Sequence, residues 1–132
     1  MVAAVAASAS VFLLVRNARP RVTARLQPEP ASGNIGSAPA AVYTLLVWNN
    51  GAAPLTVRVT LLLNGEPSGR SLDVGKHEVT IAAGGQHESW ALAIERSTLD
   101  RSGVGALRVR IVFRWLGLDR TLMVAPGERK NY

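Results

Sequence analysis

Residues 42–63 read VYTLLVWNNGAAPLTVRVTLLL, two runs in which apolar side chains recur at every second position. A period of two places alternate side chains on opposite faces of a strand, so each run predicts a half-buried β-strand. Between the runs stands Asn50-Gly51, a dipeptide that tolerates the positive φ values of a tight primed turn. The stretch therefore predicts a β-hairpin with Gly51 in its turn. The side chains expected to face inward are Tyr43, Leu45, Val47, Leu55, Val57, Val59, Leu61 and Leu63.

The same period continues through most of the chain. It is clearest over residues 106–115, where Leu107, Val109, Ile111, Phe113 and Trp115 would share the inner face. Residues 28–41 are rich in Pro, Gly, Ser and Ala without periodicity, which indicates a loop. The remaining predicted elements are an edge strand at 21–27, a turn at Asn64-Gly65, strands at 71–74, 77–81, 87–94 and 120–125, and a helical turn at 97–101.

Short strands separated by turn signals, without a long amphipathic helix, are typical of an antiparallel β-sandwich. We therefore predict an all-β, immunoglobulin-like sandwich of about seven strands over residues 42–132. A first edge strand and linker at 16–41 would precede it. The chain lacks the Cys-Trp-Cys core of antibody domains, which excludes that type but not the wider architecture.

The composition excludes several classes of chemistry. The 132 residues contain no cysteine, so disulfides, thiolate metal sites and iron–sulfur clusters are ruled out. Lys and Arg number 15 against nine Asp and Glu, a net charge of +6. Most of the basic residues are Arg, which favours contacts to phosphate or carboxylate, although an Arg-rich genome would give the same composition.

The first 15 residues, MVAAVAASASVFLLV, carry no charged side chain. As a helix they would span about 22 Å, short of the roughly 30 Å hydrocarbon core, unless the following arginines reach to the interface. We expect an uncleaved single-pass anchor in the bacterial cytoplasmic membrane, with Arg16, Arg19 and Arg21 at the membrane interface. A signal peptide with a misassigned start and an apolar helix docked on protein are the alternatives.

The polar residues do not form a recognisable catalytic pattern. His77 and His87 would approach each other if 77–81 and 87–94 paired as a hairpin, with Glu78 or Glu88 as a third group. Metal sites need three or four convergent ligands with characteristic spacing, which this arrangement lacks. Neither a serine triad nor a phosphate-binding loop can be assigned. We therefore expect no enzymatic activity, no cofactor and no metal.

One surface feature stands out from the rest. In RVRIVFR, the side chains of Arg108, Arg110 and Arg114 lie opposite the apolar ones, and Arg58 would extend this group if its strand were a neighbour. Such a set could bind an acidic protein surface, lipid headgroups or phosphates, or it could be a solvated face. The low aromatic content, 5%, argues against nucleic acid, and no small-molecule substrate is indicated.

Two stretches, YTLLVWNNGAAPLTVRVTLLLNGEP and VTIAAGGQHESWAL, resemble bacterial immunoglobulin-like modules of the cell-adhesion-related type, with the likeness covering residues 42–113. The order of apolar helix, Arg, short strand, loop and VYTL is also similar to the C-terminal immunoglobulin-like domain of polyferredoxin-type accessory proteins of cytochrome oxidase assembly. That family's multi-span part and its cysteines are lacking here, so no redox role is implied.

These resemblances imply a domain outside the cytoplasm. Four arginines after the apolar segment favour the cytoplasm by the positive-inside rule, but we expect the extracytoplasmic side. The predicted function is a non-catalytic accessory or stabilising subunit of a respiratory or photosynthetic membrane complex. The alternatives are a free-standing extracytoplasmic adhesion or ligand-binding module and an accessory module of a secreted hydrolase.

Overall fold

The computed structural model describes residues 20–30, 33–73, 76–115 and 117–132. They form eleven β-strands, one α-helix and one 3₁₀ turn. The strands are β1 (Val22–Pro28), β2 (Gly33–Ile35), β3 (Ala38–Asn49), β4 (Leu55–Leu63), β5 (Glu66–Pro67), β6 (Arg70–Ser71), β7 (Glu78–Ile81), β8 (Gln86–Glu95), β9 (Leu107–Trp115), β10 (Leu118–Val124) and β11 (Arg129–Asn131). Helix α1 covers Arg96–Ser102, and the 3₁₀ turn covers Val104–Ala106. The apolar helix predicted over residues 1–15 lies outside the described residues.

The strands build two antiparallel sheets that face each other as an all-β sandwich. Sheet A has the order β11-β1-β3-β8-β6, and β2 pairs with the start of β3. Sheet B has the order β10-β9-β4-β5, and β7 pairs with the start of β4. Four of the eleven strands are only two or three residues long, which explains why the sequence suggested about seven.

The predicted inner faces are confirmed by burial. Along β9, Leu107, Val109, Ile111 and Phe113 are all at most 1% exposed, while the intervening residues are half-buried or exposed. Trp115 at the end of the strand is only half-buried. In sheet A the buried residues of β1, β3 and β8 face this row across the sandwich, with Trp90 as the largest fully buried side chain. The apolar alternation thus supplies both walls of one core.

Tyr43 is a buried residue of sheet A whose hydroxyl pKa is shifted by the fold. Its side chain is 4% exposed, and burial raises the pKa of its hydroxyl above the usual 10.0 because the phenolate would lose its hydration. The positive charge of Arg96, on helix α1, acts in the opposite direction. The hydroxyl therefore stays protonated to higher pH than in an unfolded chain.

The predicted hairpin at Asn50-Gly51 is wrong. Strands β3 and β4 lie in different sheets, and Gly51 lacks the positive φ of a primed turn. The reason is Asn49, whose buried amide donates to the carbonyl oxygens of Ala53 at 2.9 Å and Ile81 at 3.0 Å and accepts from the Gly51 backbone N–H at 3.0 Å. These bonds turn the chain out of sheet A and into sheet B.

The second Asn-Gly pair forms the turn that the first does not. Asn64 and Gly65 have φ values of 53° and 82° and join β4 to β5 in register Leu63↔Glu66. This confirms the turn predicted at Asn64-Gly65, in which both central residues need positive φ.

Three other predictions need correction. Residues 28–41 are not a loop throughout, because β2 pairs with β3, whose first residue is Ala38. The strand predicted at 21–27 is present as β1 but is not an edge, since β11 covers it at Thr23–Arg25. The strand predicted at 71–74 is β6, which pairs with β8 through Arg70 and Ser71.

Candidate functional site

The arginine face is the outer surface of sheet B formed by Arg58, Arg108, Arg110 and Arg114. On β9 the three arginines alternate with buried apolar residues, so their side chains point away from the core. Strand β4 is the neighbour of β9, and the pair Arg58↔Val112 sets Arg58 between the levels of Arg110 and Arg114. The register thus joins all four residues on one surface.

Asp119 connects two members of the arginine face. It stands opposite Arg114 in the β9–β10 ladder, and its carboxylate lies 3.4 Å from Arg58 Nη2 and 3.4 Å from Arg114 Nε. All three side chains are about half exposed or more, so solvent screens the two ion pairs and each stabilises the fold by at most about 1 kcal/mol. Breaking these two ion pairs would therefore cost a competing anionic group little free energy.

A shallow groove of about 350 Å³ lies over this triad. Thr56, Glu78, Val112 and Phe113 complete its lining. Glu78 stands opposite Arg58 in the β4–β7 ladder. Two guanidinium groups here face two carboxylates, so the groove is close to neutral. Arg58 and Arg114 already contact the Asp119 carboxylate, so an anionic ligand in the groove would have to compete with Asp119 for these guanidinium groups.

The excess positive charge of the face lies at Arg108 and Arg110, which have different surroundings. Arg108 Nη1 donates to the carbonyl oxygens of Gly105 at 2.8 Å and Leu107 at 2.7 Å, so this guanidinium also holds the start of β9. Arg110 is half-buried between Thr60 and Met123, and its buried Nε has no acceptor in the described part of the chain. Arg110 is therefore the member with unused hydrogen-bonding capacity.

The two histidines do not meet as the predicted hairpin would require. Strand β7 pairs with β4 and strand β8 with β3, so 77–81 and 87–94 belong to different sheets. His87 instead lies beside Trp48, with ring centroids 5.9 Å apart. Among the described residues, no three His, Asp or Glu side chains are grouped as a metal site would need.

Two of the three predicted interface arginines, Arg16 and Arg19, lie outside the described residues. Arg21 is exposed beside a second hollow of about 320 Å³, lined also by Asn50 and Tyr132. The sequence did not single out Asp119 or Tyr132, because their positions depend on strand register and not on any local motif.

No protein-family model and no curated protein matches this chain. No helix in the described ranges is long and apolar enough to cross a membrane.

Proposed function

We propose that this protein is a non-catalytic, membrane-anchored accessory subunit that stabilises a bacterial membrane complex of respiratory or photosynthetic type. Residues 1–15 would be the anchor in the cytoplasmic membrane, and the sandwich would lie on the extracytoplasmic side. The apolar character of that segment and the arginines that follow it support the anchor. The arginine face would bind an acidic surface of another subunit.

We further propose that the sandwich is immunoglobulin-like. The order β1-β3-β8 in one sheet and β10-β9-β4 in the other supports this, since it corresponds to strands A-B-E and G-F-C of that architecture. In the immunoglobulin constant type a fourth strand pairs with the third strand of the first sheet, and β6 takes this position beside β8, whereas β7 pairs with β4 in the other sheet. This difference places an additional strand beside the arginine face.

The observation that carries the proposal is the continuity of the arginine face across β4 and β9. Four guanidinium groups on one sheet surface, next to only two carboxylates, complement an acidic protein surface. Arg58 and Arg114 are the exposed members, with side chains 54% and 72% exposed, so they can change partners without disturbing the core.

Gentle detergent extraction followed by native separation tests this function. We expect the chain to migrate with larger subunits, and migration as a lone 14.0 kDa species would contradict the proposal. The double variant Arg58→Gln and Arg114→Gln should release the chain from the complex at lower salt than the wild type. The matched control, Arg70→Gln with Arg101→Gln, removes the same charge from exposed positions away from sheet B's outer face.

A free-standing extracytoplasmic adhesion or ligand-binding module is the alternative proposal. The groove over Arg58, Arg114 and Asp119 favours it, because a small acidic ligand would fit there without other subunits. Isolated protein that bound acidic peptides through these two arginines, while no subunit co-purified from membranes, would favour the alternative. Protease added to intact spheroplasts tests the side of the membrane, since only an extracytoplasmic sandwich would be digested.

A further inference from the structure

Several chain segments meet at one end of the sandwich, which we call the Pro20 end and define by Pro20, Arg21, Trp115, Leu118 and Tyr132. Two backbone hydrogen bonds fix this arrangement. The backbone N–H of Asn50 donates to the Arg21 carbonyl oxygen at 2.7 Å, and the backbone N–H of Tyr132 donates to the Val22 carbonyl oxygen at 2.8 Å. The Tyr132 ring packs edge-on against Phe113 of sheet B, with centroids 4.8 Å apart. The two sheets are therefore joined where residues 1–19 connect to the sandwich.

The Pro20 end presents apolar and aromatic side chains to solvent. Leu118 is 58% exposed and Tyr132 is 39% exposed. Leu118 stands opposite Trp115 at the end of the β9–β10 ladder, so a leucine and a half-buried tryptophan sit at the tip of this hairpin. Tyr and Trp are the residues that favour the headgroup level of a bilayer, where one end of the ring is wet and the other is apolar.

Cations surround these apolar groups. The guanidinium of Arg120 lies 5.5 Å from the Trp115 ring centroid, and the exposed Arg21 lines the same hollow as Tyr132. Asp119 is the acidic residue of this hairpin tip. The opposite end of the sandwich is mixed in charge, because Glu66, Glu95, Asp100 and Glu128 lie there together with Arg96, Arg101 and Arg129.

Two donors at the Pro20 end lack acceptors within the described residues. The indole Nε1 of Trp115 and the Nε of Arg120 are both buried from solvent and make no hydrogen bond there. A buried donor without an acceptor destabilises the folded chain. Because both atoms are covered, an anionic oxygen reaches them only when the Trp115 and Arg120 side chains turn outward, and phosphodiester headgroups provide such oxygens in a hydrated, mixed-polarity layer.

We propose that the Pro20 end rests on the anionic headgroup layer of the bilayer. Leu118 and Trp115 enter the interface, Arg21 and Arg120 contact lipid phosphates, and the opposite end points away. This inference rests on the proposed anchor. If residues 1–15 lie in the membrane, the four residues 16–19 can span at most about 14 Å, so Pro20 must lie close to the surface. In this orientation the arginine face runs along the membrane normal and is accessible to a neighbouring subunit.

The cysteine-free chain allows a direct test with two single-cysteine variants of the 132-residue chain. Leu118→Cys marks the Pro20 end, and Val104→Cys, at a residue 51% exposed in the 3₁₀ turn of the opposite end, is the matched control. Each carries an environment-sensitive fluorophore and is reconstituted into vesicles of phosphatidylcholine and phosphatidylglycerol containing a headgroup-proximal nitroxide lipid. We expect loss of fluorescence at position 118 and none at position 104, together with a blue-shifted emission only at 118.

The outcomes separate this inference from the proposed function. Vesicle flotation reports the anchor, and protein that does not float contradicts both proposals. Protein that floats but shows no loss of fluorescence at 118, or equal loss at 118 and 104, overturns only the inference. A label at 118 shielded from both the nitroxide lipid and aqueous iodide would also overturn it, because protein and not lipid would then cover this end.

The lipid charge is tested in the same vesicles. Arg21→Gln with Arg120→Gln should reduce the loss of fluorescence at 118 and its dependence on phosphatidylglycerol, while Arg101→Gln on helix α1 should leave both unchanged. An equal loss in pure phosphatidylcholine, for the wild type and the double variant alike, would contradict the assigned headgroup contacts.

Discussion

The side-chain amide nitrogen of Asn49 lies 3.0 Å from the carbonyl oxygen of Ile81, and this hydrogen bond joins the end of a strand in sheet A to the end of a strand in sheet B. The same amide donates to Ala53, and its oxygen accepts from Gly51. Asn49 is 1% exposed, so water cannot substitute for these bonds.

Replacing Asn49 by Ala should therefore destabilise the domain strongly. The buried Ile81 carbonyl and the buried Gly51 N–H would lose their partner, and the partly exposed Ala53 carbonyl would lose a third bond, which predicts a loss of about 2–4 kcal/mol in the free energy of unfolding. Urea denaturation measures it. Asn50→Ala is the control, because the Asn50 side chain makes one hydrogen bond within the described residues, to Thr23 at 3.1 Å, and its removal should cost about 1 kcal/mol. Equal losses in the two variants would show that Asn49 does not join the sheets.

Gly69 and Gly65 give a matched test of backbone strain against steric contact. Both have positive φ, 68° and 82°, but a Cβ at Gly69 would collide with the Ala93 carbonyl oxygen and approach Leu61, whereas at Gly65 nothing lies within 4 Å. Gly65→Ala should cost about 1–2 kcal/mol through strain alone. Gly69→Ala should cost about 2–4 kcal/mol, because overpacking adds to strain. Thermal unfolding that ranked the two variants in the reverse order would contradict this reasoning.

Tyr43 should make the domain less stable in alkali. Because burial raises its pKa in the folded state, its contribution is fully present below the ordinary tyrosine pKa of 10.0 and is lost as pH rises through the raised value. Above that ordinary value the unfolded chain ionises first, which favours unfolding. Tyr43→Phe should remove this part of the pH dependence, as measured by urea denaturation at several pH values. An unchanged alkaline slope in the variant would assign the effect to other groups.

Asp73 and Leu72 satisfy backbone groups of β8 beyond the end of its pairing with β6. Its carboxylate accepts from the Ala91 backbone N–H at 2.9 Å, while the Leu72 amide donates to the Ala91 carbonyl at 2.7 Å. Asp73→Ala should speed hydrogen exchange of the Ala91 amide by about tenfold, since one charge-assisted bond is lost. Asp73→Asn retains an acceptor and should exchange nearly as the wild type does. Equal exchange rates in both variants would show that the carboxylate does not protect this edge.

The two Asn-Gly pairs show where sequence reasoning succeeded and where it failed. At Asn64-Gly65 the local preference for positive φ agreed with the structure, because β4 and β5 pair directly. At Asn50-Gly51 the same dipeptide stands where the chain changes sheets, and the bonds of Asn49 to distant carbonyls decide the path. Local propensity cannot distinguish these cases, since the difference lies in tertiary contacts.

Burial patterns were predictable for the long strands and not for the short ones. The alternation along β9 identified both its inner face and its three outward arginines, because period two is a property of the sequence itself. Strand β11, with the sequence Arg-Lys-Asn, has no apolar alternation. It forms by pairing its backbone with the free edge of β1, which is a tertiary contact. Asp119 joined the candidate site for a similar reason, since its contact with Arg58 depends on the order of three strands.

The crossing from β3 to β4 also has a consequence for synthesis on the ribosome. Leu45 pairs with Trp90 and Val57 with Phe113, so the main partners of both strands are translated much later than the strands themselves. Until β8 and β9 emerge, the nascent chain exposes two apolar strands that cannot cover each other in a local hairpin. We expect such a chain to be prone to aggregation until residue 115 has been made. Fragments that stop before β9 should therefore be degraded and not accumulate as a smaller folded unit.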